Sequence, residues 1–401
     1  MSEDFRRTLT RLRNAHGWSR TGLADRIGYT YQYVWEQETG RKPPTTAFAN
    51  ACDRALDADG ALTALLTKEV DVERRTVLGI GTLAPLAAME TIRKGLARSV
   101  AGASADVVNL EEWDELAWEY GHTFMTTPPN VLIRDLSTDF LTAQQLIEES
   151  TDRTRAGYCR VASRLAVITA MTSASLGEHR QAWRWWRTAR VTADASQDLD
   201  TKLWCRDWEV VNGLYEQRPM RVILNRADEA VALGGGRPTP GTVGLWAGIA
   251  QANAVIGRTD EAERALHQVE ALADRLPVCE PRDADSMYGW HEYRLRHTES
   301  YVHSHLGNTK RAYAAQDRAF QLYPDSMFRE RAQMRMHRAA CLVRDGEIAD
   351  GIEHARNTIE NLPDGHQSNE LVMAVGRKVL EAVPKSERSR DTVLELARMM
   401  A

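Results

Sequence analysis

The chain has five cysteines in 401 residues (Cys52, Cys159, Cys205, Cys279 and Cys341), and no two of them stand as a C-x-x-C pair. An odd, scattered set excludes a disulfide scaffold and fits reduced thiols in a cytoplasmic protein. Membrane-spanning runs are missing as well. Residues 77–88 are apolar but make up only about half the length a bilayer requires, and they contain Pro85. Arg74 and Arg75 precede that run in a twin-arginine pattern, yet such export signals act at an N-terminus. A general basic excess is absent too. The net charge of −5 excludes a chain coated in nucleic-acid-binding charge, although it leaves room for a local patch. No P-loop, dinucleotide fingerprint or Ser/His/Asp motif context occurs, so the sequence argues for neither an enzyme nor a cofactor. His291, His297, His303 and His305 are spaced by six and two residues, which does not bring them onto one helix face, and a metal site is not expected.

What is present suits a helical protein of at least two domains, since 401 residues exceed one average domain. The most informative stretch is residues 18–42. Ser19 is a natural N-cap, with Trp18 before it and Leu23 four residues beyond in the spacing of a hydrophobic staple. The pattern returns at Thr30, flanked by Tyr29 and Val34, and Gly28 between them suits a left-handed helix end. Two short helices joined by a Gly-containing turn make a helix-turn-helix. The charge agrees. Among residues 1–42, eight basic side chains (Arg6, Arg7, Arg11, Arg13, Arg20, Arg26, Arg41, Lys42) face five acids (Glu3, Asp4, Asp25, Glu36, Glu38).

Ser19, Leu23, Ala24, Asp25, Arg26, Gly28, Thr30, Val34, Glu38 and Gly40 fall in the register of the phage-repressor/Cro (XRE-like) helix-turn-helix, which residues 4–67 resemble. Two positions depart from that pattern: Arg20 stands where Gln is usual, and Gln37 where a buried aliphatic residue is usual. Around this motif, Phe5, Leu9 and Leu12 predict a first helix over residues 4–15. After Pro43 and Pro44, Thr45 or Thr46 can cap a fourth helix with Phe48, Cys52, Ala55 and Leu56 inward. A fifth carries Leu62, Leu65 and Leu66. The expectation is a five-helix domain over residues 1–69 and a linker containing a helix over 70–105.

Residues 106–401 read as amphipathic helices without strand alternation. Leu176-Gly177-Glu178, Ile256-Gly257-Arg258, Leu306-Gly307-Asn308 and Asp345-Gly346-Glu347 each divide two helical runs, and small residues follow at core spacing, as in Ala182 and Ala189, Ala262 and Ala265, Ala312 and Ala319. The separations, 80, 50 and 39 residues, lie near multiples of 40, the mark of a helical-hairpin solenoid. Residues 233–242 and 276–286 read as longer loops between repeats. This part resembles degenerate tetratricopeptide repeats, so the expected fold class is all-α. The two parts together resemble actinobacterial regulators with a repressor-type reader and a tetratricopeptide-like sensor, and also the peptide-sensing quorum regulators of Gram-positive bacteria.

That resemblance implies a one-component transcriptional regulator that reads a palindromic double-stranded DNA operator as a homodimer. On the helix opened by Thr30, Tyr31 and Trp35 form one i,i+4 pair and Gln32 and Glu36 the next, which together cover the face that enters a major groove. Gln32 suits an adenine edge and Glu36 a cytosine amino group. Arg20, Arg41 and Lys42 suit phosphates. The plainer alternative for the Tyr/Trp pair is a solvated face, or one packed on the linker. In the solenoid, Trp183, Trp185, Trp186, Trp204 and Trp208 cluster, mostly as expected core. Trp204, Trp208, Asn212 and Tyr215 share roughly one face, and Asn253 lies similarly in a later helix, so these five are the candidates for holding a peptide or small-molecule effector. Two other readings stand beside the sensor: a DNA-binding regulator whose solenoid is a protein-interaction scaffold, and an adaptor whose helix-turn-helix no longer binds DNA. The basic residues argue against the latter.

Overall fold

The computed structural model describes residues 3–39, 44–65, 105–276 and 286–400. All regular structure among them is helical, and no strand occurs. Backbone contacts divide the chain into two compact units, Met1–Thr91 and Ile92–Ala401. Most of the linker expected over 70–105 lies outside the described residues, as do Arg41, Lys42 and Cys279. No described helix is long and apolar enough to cross a membrane.

In the first unit, α1 (Glu3–Ala15), α2 (Arg20–Ile27), α3 (Tyr31–Thr39) and α4 (Thr46–Ala55) enclose a small core of Phe5, Leu9, Leu23, Val34, Phe48, Cys52 and Leu56. Thr45 caps α4 by accepting from the Phe48 N–H at 3.2 Å. A further helical turn begins at residue 61. The carboxylate of Asp53, buried beneath it, accepts the orphan N–H groups of Leu62 and Thr63 at 2.8 and 2.9 Å, so α4 supplies that turn's cap across nine or ten residues.

The second unit opens with α5 (Ala105–Thr123) and α6 (Pro129–Glu149). Antiparallel pairs follow: α7 (Asp152–Ser175) with α8 (His179–Ala195), α9 (Leu199–Gly213) with α10 (Met220–Gly234), α11 (Pro240–Val255) with α12 (Thr259–Ala273), α13 (Glu292–Leu306) with α14 (Thr309–Leu322), α15 (Phe328–Arg344) with α16 (Ile348–Glu360), and α17 (Glu370–Ala382) with α18 (Asp391–Met399). The breaks found in the sequence are the turns of four of these pairs. Gly177, Gly257, Gly307 and Gly346 all sit at positive φ, between 73° and 95°, where only glycine is unstrained. The turn between α9 and α10 differs. It places Gln217 at φ 57°, which hides a hairpin inside the 80-residue interval.

The first helix of each pair stacks on the next, α7 on α9, α9 on α11 and so on to α17, and α17 returns to touch α7. These inner helices are buried nearly all round. In α7 the hydroxyls of Thr169, Thr172, Ser173 and Ser175 donate to carbonyls one turn earlier at 2.7–3.0 Å, so they enter the core with their polar atoms satisfied. Close stacking of α9 and α11 relies on Gly241, Gly244 and Gly248. A Cβ at Gly241 would lie 2.6 Å from the backbone of Leu203 and Trp204, one at Gly244 2.1 Å from the Asp207 carboxylate, and one at Gly248 2.5 Å from Val210. Backbone cannot yield as a side chain can. Gly241→Ala is expected to lower stability in chemical denaturation by about 1–3 kcal/mol, the usual cost of overpacking.

Candidate nucleic-acid interface and candidate effector cavity

The helix-turn-helix forms as its capping residues require. Ser19 accepts from the Gly22 N–H at 3.0 Å, and Thr30 from the Tyr33 N–H at 3.1 Å. Gly28, at φ 73°, ends α2 and lets the Tyr29 N–H reach back to the Ala24 carbonyl at 3.0 Å. The Arg26 guanidinium covers the Trp18 ring at 4.3 Å, and Tyr29 meets Tyr33 at a tilt and Phe48 edge-to-face, at 5.0 and 5.2 Å. These contacts fix the angle at which α3 leaves the turn.

On α3, Val34 and Gln37 are buried, Tyr31 and Gln32 are exposed, and Trp35 and Glu36 are half-buried. The four side chains expected to read bases therefore share the outer face, with Thr30 capping its start. Gln32 donates its amide to Glu36 at 3.0 Å. These two side chains meet each other before they meet a base, so contacting separate base edges requires them to part.

Glu38 has a role the sequence did not reveal. Its carboxylate, almost wholly buried, accepts from Arg13 Nε at 2.6 Å and from Arg20 Nε at 2.5 Å. Arg13 also donates to the Trp18 carbonyl at 2.6 Å. One acid thus ties α1, α2 and α3 together. Arg20, expected as a free phosphate contact, is anchored at its Nε by Glu38, with Tyr31 beside it; the bond to Glu38 raises its pKa and fixes where its charge sits. Removing one partner of a buried charge cluster leaves the others uncompensated. Glu38→Ala is expected to cost about 3–5 kcal/mol of first-unit stability, read by denaturation of the full chain.

In the second unit, Trp208, Asn212 and Tyr215 line one wall of a cavity of about 90 Å³ among the inner helices, with Gln251, Arg294 and Glu330 on the others. Trp204 and Asn253, the other two of the five candidates, do not line it. The Trp204 indole donates to the Met287 carbonyl at 3.1 Å and stacks on Tyr288 at 5.0 Å, so it secures the segment after α12. Asn253 is turned to the Ile249 carbonyl at 2.9 Å, and Gln251 is the α11 amide that faces the cavity. The Asn212 amide donates to the Trp208 carbonyl at 2.9 Å, and its side chain lines the cavity. Met125, Met171, Met287 and Met327 complete much of the lining, and unbranched thioethers adapt readily to a changed occupant.

Charges beside the cavity were not legible in the sequence. Arg294 lies between the Trp208 and Trp290 rings at 4.7 and 4.5 Å, donates to the Gly289 carbonyl at 2.8 Å, and approaches the buried Asp207 carboxylate at 3.4 Å. Burial pushes the Asp207 carboxyl up to about 7, against the pull of Arg294. Glu216, bonded to the Trp186 indole at 2.7 Å, is also raised to about 7, chiefly by burial. His297 accepts or donates at the Tyr323 hydroxyl at 2.9 Å and is lowered to about 4 by burial. His305 meets the Tyr301 carbonyl at 2.8 Å. These histidines are core groups with partners of their own.

A carboxyl whose folded pKa is raised binds its proton more tightly in the native state. Its contribution is therefore fully present below its unfolded pKa and is lost as pH rises through about 7. Asp207→Asn lacks that term. The stability difference between the variant and the wild type, measured by denaturant titration, is expected to shift in the variant's favour between about pH 5 and pH 8.

Comparison with known proteins adds one family. No curated protein and no solved structure matches the chain. Residues 4–66, which hold α1 to α4 and the capped turn beyond them, match the family model of a helix-turn-helix domain, which supports DNA binding by this part of the chain.

Proposed function

We propose that the protein is a one-component, cytoplasmic transcriptional regulator without catalytic activity. Its helix-turn-helix reads an inverted-repeat operator as a homodimer, and its tetratricopeptide-like solenoid binds an effector. The observation that carries this reading is the family match over residues 4–66, together with the outer face of α3, where Tyr31 and Gln32 are exposed and Trp35 and Glu36 half-exposed beside them. Repressor-type readers place this helix in the major groove, and two-fold operators mirror two-fold proteins. For the effector, the cavity favours a small molecule over an extended peptide. About 90 Å³ is well below the several hundred that a drug-sized ligand fills, so the methionine-rich walls open further for anything larger. A bound molecule changes operator affinity only by favouring one arrangement of the two readers.

A second reading, in which the solenoid is a protein-interaction scaffold, is supported by an apolar surface groove in the second unit. The two readings share the DNA reader and differ in what the solenoid contacts.

Footprinting of the purified protein on DNA upstream of its own and neighbouring genes tests the common part. Protection of an inverted repeat is expected, with Gln32→Ala weakening it by about 1–3 kcal/mol and relaxing preference at one base position. Sequence-blind binding that salt abolishes and the substitution leaves unchanged would overturn operator reading.

A further inference from the structure

We propose that the groove between α6 and α8 is a docking site for an amphipathic helix of a partner protein, one with an apolar face and acidic side chains along one flank. The groove has a volume of about 720 Å³, walls from α6 and α8, and a floor from α7. Ile133 and Glu148 mark its extent on α6, a span of roughly 22 Å at 1.5 Å per residue, which admits about four helical turns. Phe140 of α6 and Trp185 of α8 pack against each other at 4.6 Å and bridge the two walls, so an occupant lies over this pair and not on the α7 floor beneath it. Leu141 at one rim is 66% exposed and Leu176 at one end 42%. A lone exposed leucine needs no explanation, but a contiguous apolar trough does.

The groove's polar groups select the form of the occupant. Ser137, Thr169, Ser173, Thr188 and Thr192 all line it, and each hydroxyl donates to the carbonyl four residues earlier in its own helix. Those protons are committed. An extended strand would enter with unmatched backbone groups, whereas a helix satisfies its own. The groove therefore accepts side-chain area from a segment whose backbone asks for nothing.

Charge selects the flank. Arg180, Arg184 and Arg187 recur at i, i+4 and i+7 along α8, beside its groove-facing residues Gln181, Trp185 and Thr188. All three are exposed, and no carboxylate among the described residues pairs with any of them. The groove's own carboxylates, Glu178 at the start of α8 and Glu148 near the end of α6, lie at its ends, and Glu148 is already bonded to Gln144 at 3.0 Å. A partner helix lying along the groove meets three exposed cations on one side.

The test uses the full chain and a labelled, designed Leu/Glu helix of about 14 residues, roughly 21 Å long. Its lysine-for-glutamate analogue serves as the counter-probe. Fluorescence anisotropy is expected to show saturable, salt-weakened binding of the acidic peptide and at least about tenfold weaker binding of the analogue. Leu141→Asp, and separately the triple change Arg180→Glu, Arg184→Glu, Arg187→Glu, are each expected to weaken binding about tenfold or more while thermal melts match wild type. If a variant melts early, Leu141→Ala takes its place at the same site. No saturable binding, equal binding of the lysine analogue, or binding indifferent to both variants overturns the proposal. So does self-association of the unliganded chain that Leu141→Asp abolishes, because the occupant is then a second copy. DNA binding is not read in this experiment, so its outcome and that of operator footprinting stand apart.

Discussion

In a stack of helices, the distance at which backbones cross decides what else the molecule can hold. Side chains of ordinary size keep axes about 8–10 Å apart, and closer contact requires residues with almost nothing beyond Cα. The second unit meets this constraint repeatedly. Gly241, Gly244 and Gly248 let α11 press on α9, Ala182, Ala189 and Ala193 seat α8 on α7, and Gly351 brings α16 against the Ala339 carbonyl of α15. With the helices this close, the inner face has room for a ring of aromatic and charged side chains around a small void. Looser crossings would spread the same residues over an open channel.

The first unit solves a different problem, because four short helices offer too little apolar area to fix their angles by packing alone. A buried acid does part of that work. Glu38 takes both its guanidinium partners from other helices, so α3 is oriented by directional bonds as well as by Val34 and Phe48. Arg20 is thereby both a strut and a surface charge. Its position in the motif, where glutamine is usual in similar readers, gives this chain a cation whose location is set from within.

Local rules made much of this legible in advance. Caps at Ser19, Thr30 and Thr45 and the left-handed glycines at 28, 177, 257, 307 and 346 obey chemistry confined to a few neighbouring residues, and the sequence displays it directly. What was not legible depended on partners distant in the chain. Arg13 and Glu38 are 25 residues apart, Trp204 and Met287 83 apart, Arg294 and Asp207 87 apart. The missed hairpin of α9 and α10 has a local cause: its turn uses Gln217 in a conformation that glycine usually marks. Trp204 and Asn253 lie away from the cavity because helical spacing gives a face and not what stands opposite. Asn253 is two residues, and so more than half a turn, from the Gln251 that faces the cavity. The pairing of Gln32 with Glu36 follows the i,i+4 rule and was implicit in the face assigned to them.

The return of α17 to α7 changes the mechanical character of the repeat array. An open stack behaves as a one-dimensional chain, in which the outermost repeat has a single neighbour and can peel away without disturbing the rest. Once the last inner helix meets the first, every inner helix has a neighbour on both sides, and curvature cannot change at one joint without being taken up at the others. The cavity then reports on the circumference as a whole. Closure thus sets the array apart from a row of independent hinges, because no inner helix is left with a single neighbour.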